Sequence, residues 1–89
     1  MIIKYFAYIR DYTRTKEISL EVCSNVEEML RNLCKLYGKK FENLIFKDGG
    51  LSSEIIILVN GRHITHYEGL DTKLKQDDVI SIFPVVAGG

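Results

Sequence analysis

The 89-residue chain has no tryptophan, a single proline and only two cysteines. Its basic and acidic side chains number twelve each, so no net charge favours nucleic acid or an anionic membrane as a partner. No apolar run approaches the ~18 residues of a membrane span, and no basic start precedes an apolar segment as in a signal peptide. These absences predict a cytoplasmic protein with no nucleic-acid and no membrane partner.

The residue types that build self-contained active sites are also scarce. Cys23 and Cys34 form no C-x-x-C pair and are too few for a four-thiolate cluster or a closed zinc site, which predicts reduced, partly buried thiols. His63 and His66 lie three positions apart without an evident third ligand. Neither glycine pair is followed by the Lys-Ser/Thr of a phosphate-binding loop. The sequence therefore predicts no bound cofactor, no metal and no enzyme site of its own.

Apolar periodicity divides the first half of the chain into two strands and one helix. Residues 2–10 are rich in β-branched and aromatic side chains, which predicts a central strand, and residues 17–22 alternate as a half-buried strand does. A polar hairpin loop is expected between them. Ser24 and Glu27 fit a capping box, and Gly38 fits the end of the helix. Apolar side chains follow one helical stripe at Val26, Met29, Leu30, Leu33, Leu36 and Tyr37.

Three further strands are predicted in the second half, at residues 55–59, 62–65 and 79–83, and Asn60-Gly61 is a strong hairpin signal between the first two. Two strands, a helix and three strands indicate an α+β protein of the β-grasp (ubiquitin-like) type. In that fold a mixed sheet of about five strands carries one main helix across it, and the last strand runs parallel to the first. Residues 1–89 are expected to form one domain, with 84–89 as a flexible C-terminal tail.

The predicted tail is apolar and ends on two glycines. Proline cannot donate to a β-ladder, so sheet pairing is expected to stop near Pro84, and the following residues, if extended at ~3.3 Å each, reach roughly 16 Å further. Glycine allows a backbone to pass through a narrow slot because it has no Cβ. The simpler interpretation is an ordinary loose terminus. The residues in question are Phe83, Pro84, Val85, Val86, Ala87, Gly88 and Gly89.

If the tail is functional, the reactive group is the α-carboxylate of Gly89. A carboxylate is a poor acyl donor, so another enzyme must activate it, typically as an acyl-adenylate made with ATP. A sulfur or amine nucleophile then displaces AMP. Whether the chain takes part in an enzyme thus depends on its partner.

Several segments, taken in order, resemble the MoaD/ThiS sulfur-carrier family, and within it the small subunit of molybdopterin synthase most of all. The resemblance covers nearly the whole chain, and its specific part is the Phe-Pro-x-Val-Ala-Gly-Gly ending. The matching segments are Tyr5-Phe6-Ala7 with Arg10, Val59-Asn60-Gly61, Asp78-Val79 and residues 83–89.

This resemblance implies a cycle with three partners. An adenylating enzyme of the ubiquitin-activating type uses ATP on Gly89, and a sulfurtransferase system converts the carboxylate to a thiocarboxylate. The tail then enters the large subunit of molybdopterin synthase and donates sulfur to cyclic pyranopterin monophosphate. Gly88 and Gly89 are the implied reactive terminus. The implied partner-binding residues are Phe6, Phe83, Pro84, Val85, Val86 and Ala87.

Alternatives stay open at this point. Phe6 and Phe83 are equally compatible with plain core packing. Pro84-Val85 stands where the small synthase subunits usually have Pro-Pro, which extends the assignment to relatives that carry sulfur for thiamine or another thio-product. The chain is also compatible with a ubiquitin-like modifier joined to lysines through Gly89, or with an interaction module whose tail is inert.

Overall fold

The computed structural model describes residues 1–85, and the last four positions lie outside the described part. The strands are β1 (Ile2–Tyr5), β2 (Glu17–Ser19), β3 (Phe46–Lys47), β4 (Gly50–Leu51), β5 (Ile55–Val59), β6 (Arg62–His63) and β7 (Val79–Pro84). The helices are α1 (Ile9–Thr13), α2 (Val26–Tyr37) and α3 (Lys39–Ile45), with 3₁₀ turns at Ile64–His66 and Gly69–Asp71. None of the helices within residues 1–85 has the length and apolarity needed to cross a membrane.

The main sheet has five strands in the order β2-β1-β7-β5-β6. β1 and β7 pair in parallel at its centre, from Ile2 opposite Val79 to Tyr5 opposite Ile82, and the other pairs are antiparallel. β3 and β4 form a separate two-stranded ribbon. The prediction of a β-grasp fold with a mixed five-stranded sheet is confirmed.

The hydrophobic core lies between this sheet and α2. The inward side chains of α2, β1, β5 and β7 are buried, most of them completely, and at roughly 2 kcal/mol per large apolar side chain this burial is the main stabilising term. α3 closes the core with Phe41 and Ile45. The other fully buried members include Ile3, Tyr5, Ile9, Met29, Leu30, Leu33, Ile57, Ile80 and Ile82.

The segment after β1 differs from the sequence-based prediction. β1 ends at Tyr5 instead of residue 10, and α1 occupies the region expected to be a loop. Ala7 adopts a left-handed φ of 54°, which ends the extended backbone, and Ile9 and Thr13 then bury one face of a short helix. A strand-like composition was therefore misleading here, because the backbone reversal at Ala7 has no sequence signature.

The N-terminus of α2 also lies one residue later than predicted. Asn25, and not Ser24, is the N-cap, and its Oδ1 accepts a 2.8 Å hydrogen bond from the Glu28 backbone N–H. Ser24 instead donates its hydroxyl to the Glu28 carboxylate at 2.6 Å. Consecutive glutamates at 27 and 28 make both cap positions plausible from the sequence. Tertiary structure selects Asn25, because Val26 must donate its N–H to the Thr72 carbonyl.

Asn60 and Asp78 connect the β5–β6 turn to the start of β7. Asn60 and Gly61 both have positive φ, as the hairpin prediction requires. The Asn60 side chain donates to Asp78 Oδ1 at 2.8 Å and accepts from the Val79 N–H at 2.9 Å, and Asp78 Oδ2 accepts from the Lys75 N–H at 2.7 Å. This network fixes the register at which β7 enters the sheet.

Replacing Asp78 by alanine is expected to lower the free energy of unfolding by about 2 kcal/mol, because two partly buried hydrogen bonds to its carboxylate are lost. The matched control is Asp77→Ala, since Asp77 is exposed and adjacent, and its loss is expected to stay within ~0.5 kcal/mol. Urea denaturation of the two variants and the parent chain measures both values. Equal losses in the two variants would contradict the proposed role of the network.

Candidate functional site

The C-terminal end of β7 is where the tail leaves the body. Pro84 is buried and lies opposite Ile55, so the sheet extends one residue further than predicted. Val85 is 45% exposed and still donates its N–H to the Glu54 carbonyl at 2.8 Å. The tail therefore starts from a defined position on the rigid sheet. The predicted site residues Val86, Ala87, Gly88 and Gly89 lie outside the described residues.

The Glu54 carbonyl is itself held in place by the turn before β5. The buried Ser52 hydroxyl accepts a hydrogen bond from the Glu54 N–H at 3.2 Å, and the Ser52 carbonyl accepts from Ile55 at 3.1 Å. Neither Ser52 nor Glu54 stands out in the sequence as a candidate site residue. A serine pair before an apolar run is an ordinary turn signal, and nothing in it shows which carbonyl meets the tail.

Phe6 and Phe83 form a stacked pair beside this exit. Their ring centroids are 4.2 Å apart and the rings are inclined by only 9°. Both side chains are half-buried, whereas their neighbours Tyr5 and Ile82 are fully buried on the opposite face of the sheet. The pair thus lies on the face of the sheet that α2 does not cover, and the core-packing interpretation does not fit it.

The same uncovered face carries an apolar surface that is interrupted by Lys4 and Ser81, which pair across β1 and β7. Alternation along the three central strands turns every second side chain away from α2, and most of these side chains are apolar. Strand pairing sets Phe83 opposite Ile56 and brings the outer residues of β1 and β7 side by side. We call this set the outer-face patch: Ile2, Phe6, Ile56, Leu58, Val79 and Phe83.

Arg10 lies at the edge of the outer-face patch in a fixed orientation. Its Nε donates to the Tyr5 carbonyl at 2.8 Å, and its Cζ lies 5.6 Å from the centroid of the Phe6 ring. These contacts place a cation beside the aromatic pair, where it can meet a carboxylate or carbonyl of a partner. In the sequence, Arg10 stands out only as part of the family resemblance, because its position beside Phe6 depends on α1.

The other reactive side chains are not arranged for chemistry. Cys23 and Cys34 are buried and free, and burial, with a smaller contribution from Glu42, raises the pKa of the Cys34 thiol and so disfavours the nucleophilic thiolate. His63 Nδ1 accepts from the Thr65 N–H at 3.1 Å. Residues 1–85 contain no group of three side chains able to hold a metal ion.

Comparison with known proteins agrees with this fold. A sequence profile of the ThiS family matches residues 3–89. The chain belongs to the ThiS family.

Three proteins with similar sequences carry three different descriptions. A protein of Archaeoglobus fulgidus named "Putative sulfur carrier protein" is 42% identical over 64 residues, which cover 72% of this chain and 73% of that protein. The solution structure of small archaeal modifier protein 1 from Methanosarcina acetivorans is 36% identical, with a TM-score of 0.88 over 99% of this chain and 94% of that one. A Pyrococcus furiosus structure named "Putative molybdopterin converting factor, subunit 1" is 30% identical, with a TM-score of 0.78 and coverage of 96% and 95%.

These similarities assign the chain to the sulfur carriers and ubiquitin-like small modifiers of the ThiS family. They agree with the implied family and with the fold.

The position of the aromatic pair predicts a specific pattern of stabilities. Phe6→Ala and Phe83→Ala are each expected to cost about 1 kcal/mol, and a double-mutant cycle is expected to give a coupling of about 1 kcal/mol from the stacked rings. Ile82→Ala, the buried comparison, is expected to cost about 3 kcal/mol because it leaves a cavity. Urea denaturation provides all four values. A loss at Phe83 as large as that at Ile82 would show that the pair belongs to the core.

Proposed function

We propose that this chain is a sulfur carrier for molybdopterin synthesis and that its reactive group is the α-carboxylate of Gly89. The observation that supports this most directly is the arrangement at the end of β7. A fixed strand end, an exposed Val85 and the stacked pair Phe6 and Phe83 lie together on one side of the molecule. That arrangement suits a protein that presents its C-terminus to other enzymes.

In the proposed cycle the chain is first a substrate. The Gly89 carboxylate attacks the α-phosphorus of ATP in an adenylating enzyme and releases pyrophosphate. The persulfide of a sulfurtransferase then displaces AMP to give an acyl disulfide, and a thiol attacks the sulfurtransferase sulfur, forming a disulfide with it and releasing the terminal thiocarboxylate. Glycine suits the first two steps because no side chain obstructs the approach to its carbonyl carbon.

The thiocarboxylate then transfers its sulfur within a complex. We propose that the tail residues Val85, Val86 and Ala87 enter the large subunit of molybdopterin synthase while the outer-face patch docks against that subunit. Cyclic pyranopterin monophosphate receives the sulfur, and two deliveries complete the dithiolene of molybdopterin. The name of the similar Pyrococcus furiosus structure supports this choice of product.

The body of the protein contributes position and not reactive groups. Apolar and aromatic side chains such as Phe6 and Phe83 lose contact with water when a partner covers them, and they need no ordering because they are already stacked. Arg10 supplies a charged contact at the edge of the same surface. The chain therefore acts as the small, sulfur-donating part of an enzyme whose remaining groups come from the partner.

A second candidate function is a protein modifier. The similar chain from Methanosarcina acetivorans is named as a small archaeal modifier. In this function an amine in place of a sulfur nucleophile displaces AMP, and Gly89 becomes joined to a lysine of a target protein. Both functions share the adenylation step.

The main test supplies the purified chain with the activating enzyme of the same cell, ATP and a sulfur donor. Intact-mass spectrometry is expected to show one terminal oxygen replaced by sulfur, and addition of the large synthase subunit with cyclic pyranopterin monophosphate is expected to return the carboxylate as molybdopterin forms. A chain without Gly89 is the control. Consistent recovery of the carboxylate alone from the complete mixture would contradict the proposal.

Removing Gly88 and Gly89 together is expected to abolish sulfur loading while the melting temperature stays nearly unchanged, because chain termini contribute little packing. Thermal unfolding measures the melting temperature.

Immunoblots of native cells distinguish the two candidate functions. Ladders of larger conjugates that disappear when Gly89 is deleted, in cells where no thiocarboxylate form is found, would favour the protein modifier.

A further inference from the structure

A cleft of about 760 Å³ opens between α1 and the junction of α2 and α3. It lies at the same end of the molecule as the tail exit, because α1 follows β1 and β1 is parallel to β7. It faces away from the outer-face patch, on the side of the sheet that carries the helices. Its main lining residues are Tyr8, Tyr12, Leu36 and Tyr37, with Arg14 and Lys40 at the rim.

Exposed apolar side chains are concentrated in this cleft. Six large apolar residues within residues 1–85 are exposed, and three of them line it: Tyr8 at 42%, Tyr12 at 38% and Leu36 at 60%. Leu36 follows the apolar period of α2, yet α3 fills the core with Phe41 and leaves Leu36 outside. Single exposed apolar residues are common, whereas a cluster marks an interaction site.

The floor of the cleft is rigid. The Tyr37 ring packs edge-on against Tyr5 at 5.8 Å between centroids and lies 5.1 Å from Phe41. The buried Tyr5 hydroxyl donates to the Tyr37 hydroxyl at 3.0 Å, and burial raises the pKa of Tyr5, so this donor keeps its proton. A preformed surface binds a partner without first losing side-chain freedom.

The charge at the rim favours an acidic partner. Arg14 and Lys40 are both exposed, and neither forms an ion pair within the described part of the chain. Asp11 is the one acidic residue among those that line the cleft, which leaves an excess of positive charge. Arg14 is held at the end of α1 in a left-handed conformation, where its N–H donates to the Arg10 carbonyl at 2.8 Å.

The cleft and the surface proposed to dock partners face different ways, but α1 borders both of them. α1 carries Arg10 toward Phe6 on one side and presents Tyr8 and Tyr12 to the cleft on the other. An enzyme that binds the tail and covers the edge of the outer-face patch therefore contacts α1. The activating enzyme is the partner that both sulfur transfer and protein modification require, so it is the best-supported occupant.

We infer that this cleft is a docking site for the enzyme that adenylates the terminal carboxylate, and that it receives an apolar side chain of that enzyme flanked by at least one carboxylate. The inference rests on the proposed activation of Gly89 and adds a second recognition surface to it. Tyr8, Tyr12 and Leu36 hold the apolar side chain. Arg14 and Lys40 bind the acidic flank.

The test measures ATP–pyrophosphate exchange by the activating enzyme of the same cell at varied concentrations of this chain. Tyr8→Ala, Tyr12→Ala and Leu36→Ala are each expected to raise the KM for the chain about fivefold with kcat unchanged, because they remove contact area and leave the tail intact. The matched control is Tyr67→Ala. Tyr67 is equally exposed, at 43%, but lies beside Asn60 at the opposite end of the sheet.

A second set of variants removes charge and keeps the apolar contacts, so it tests the cleft without changing its packing. Arg14→Gln and Lys40→Gln are each expected to raise KM about twofold and to weaken its dependence on salt, whereas Lys73→Gln at the opposite end is expected to change neither. Circular dichroism and melting temperature verify that every variant is folded. Exchange with the parent chain but an unchanged KM in all cleft variants would overturn the docking site and leave the proposed function intact.

Two other outcomes would overturn the docking site or its assignment to the activating enzyme. No exchange with the parent chain under any condition would overturn the activation of Gly89 and the docking site with it. Cleft variants that exchange normally but fail to transfer sulfur to the large synthase subunit would overturn the assignment to the activating enzyme.

Discussion

The parallel pairing of β1 with β7 at the centre of the sheet is the constraint on which the rest of this molecule depends. Parallel strands need a long crossover between them, and here everything from β2 to the end of the β5–β6 region supplies it. Because the two strands run in the same direction, both end at one edge. The start of α1, the aromatic pair and the tail exit meet there for that reason alone.

The two faces of the sheet have separate tasks. One face is fully covered by α2 and α3 and provides the apolar burial that holds so small a domain together. The other has no covering helix within residues 1–85, and its apolar side chains remain half-exposed. The stacked pair Phe6 and Phe83 therefore lies outside the core and belongs to this half-exposed surface.

Rigidity near the tail follows from backbone hydrogen bonds more than from side chains. Val85 is the last described residue, and its bond to Glu54 extends the ladder past Pro84. The Asn60–Asp78 network fixes the opposite end of β7. Held at both ends, the strand has one fixed direction where it leaves the sheet.

Much of this architecture follows from local patterns in the sequence, and the exceptions share one cause. Alternation identified β2, the continuous apolar run identified β5, and Asn60-Gly61 identified the hairpin, since each signal is confined to a few neighbouring residues. α1, the cap at Asn25 and the exposure of Leu36 were not predicted. Each depends on a contact with a distant segment, such as Thr72 for the cap or α3 for Leu36.

By itself, the sequence determined the order of the elements, the apolar stripe of α2 and the chemical character of the last residues, because these are properties of neighbouring side chains. Only the tertiary structure decided on which side of the sheet Phe6 and Phe83 lie. β1 has apolar side chains on both faces. The two-residue alternation along the strand therefore shows which residues share a face, but it does not show which face the helix covers. One main helix covers one face, and the pair remains on the other.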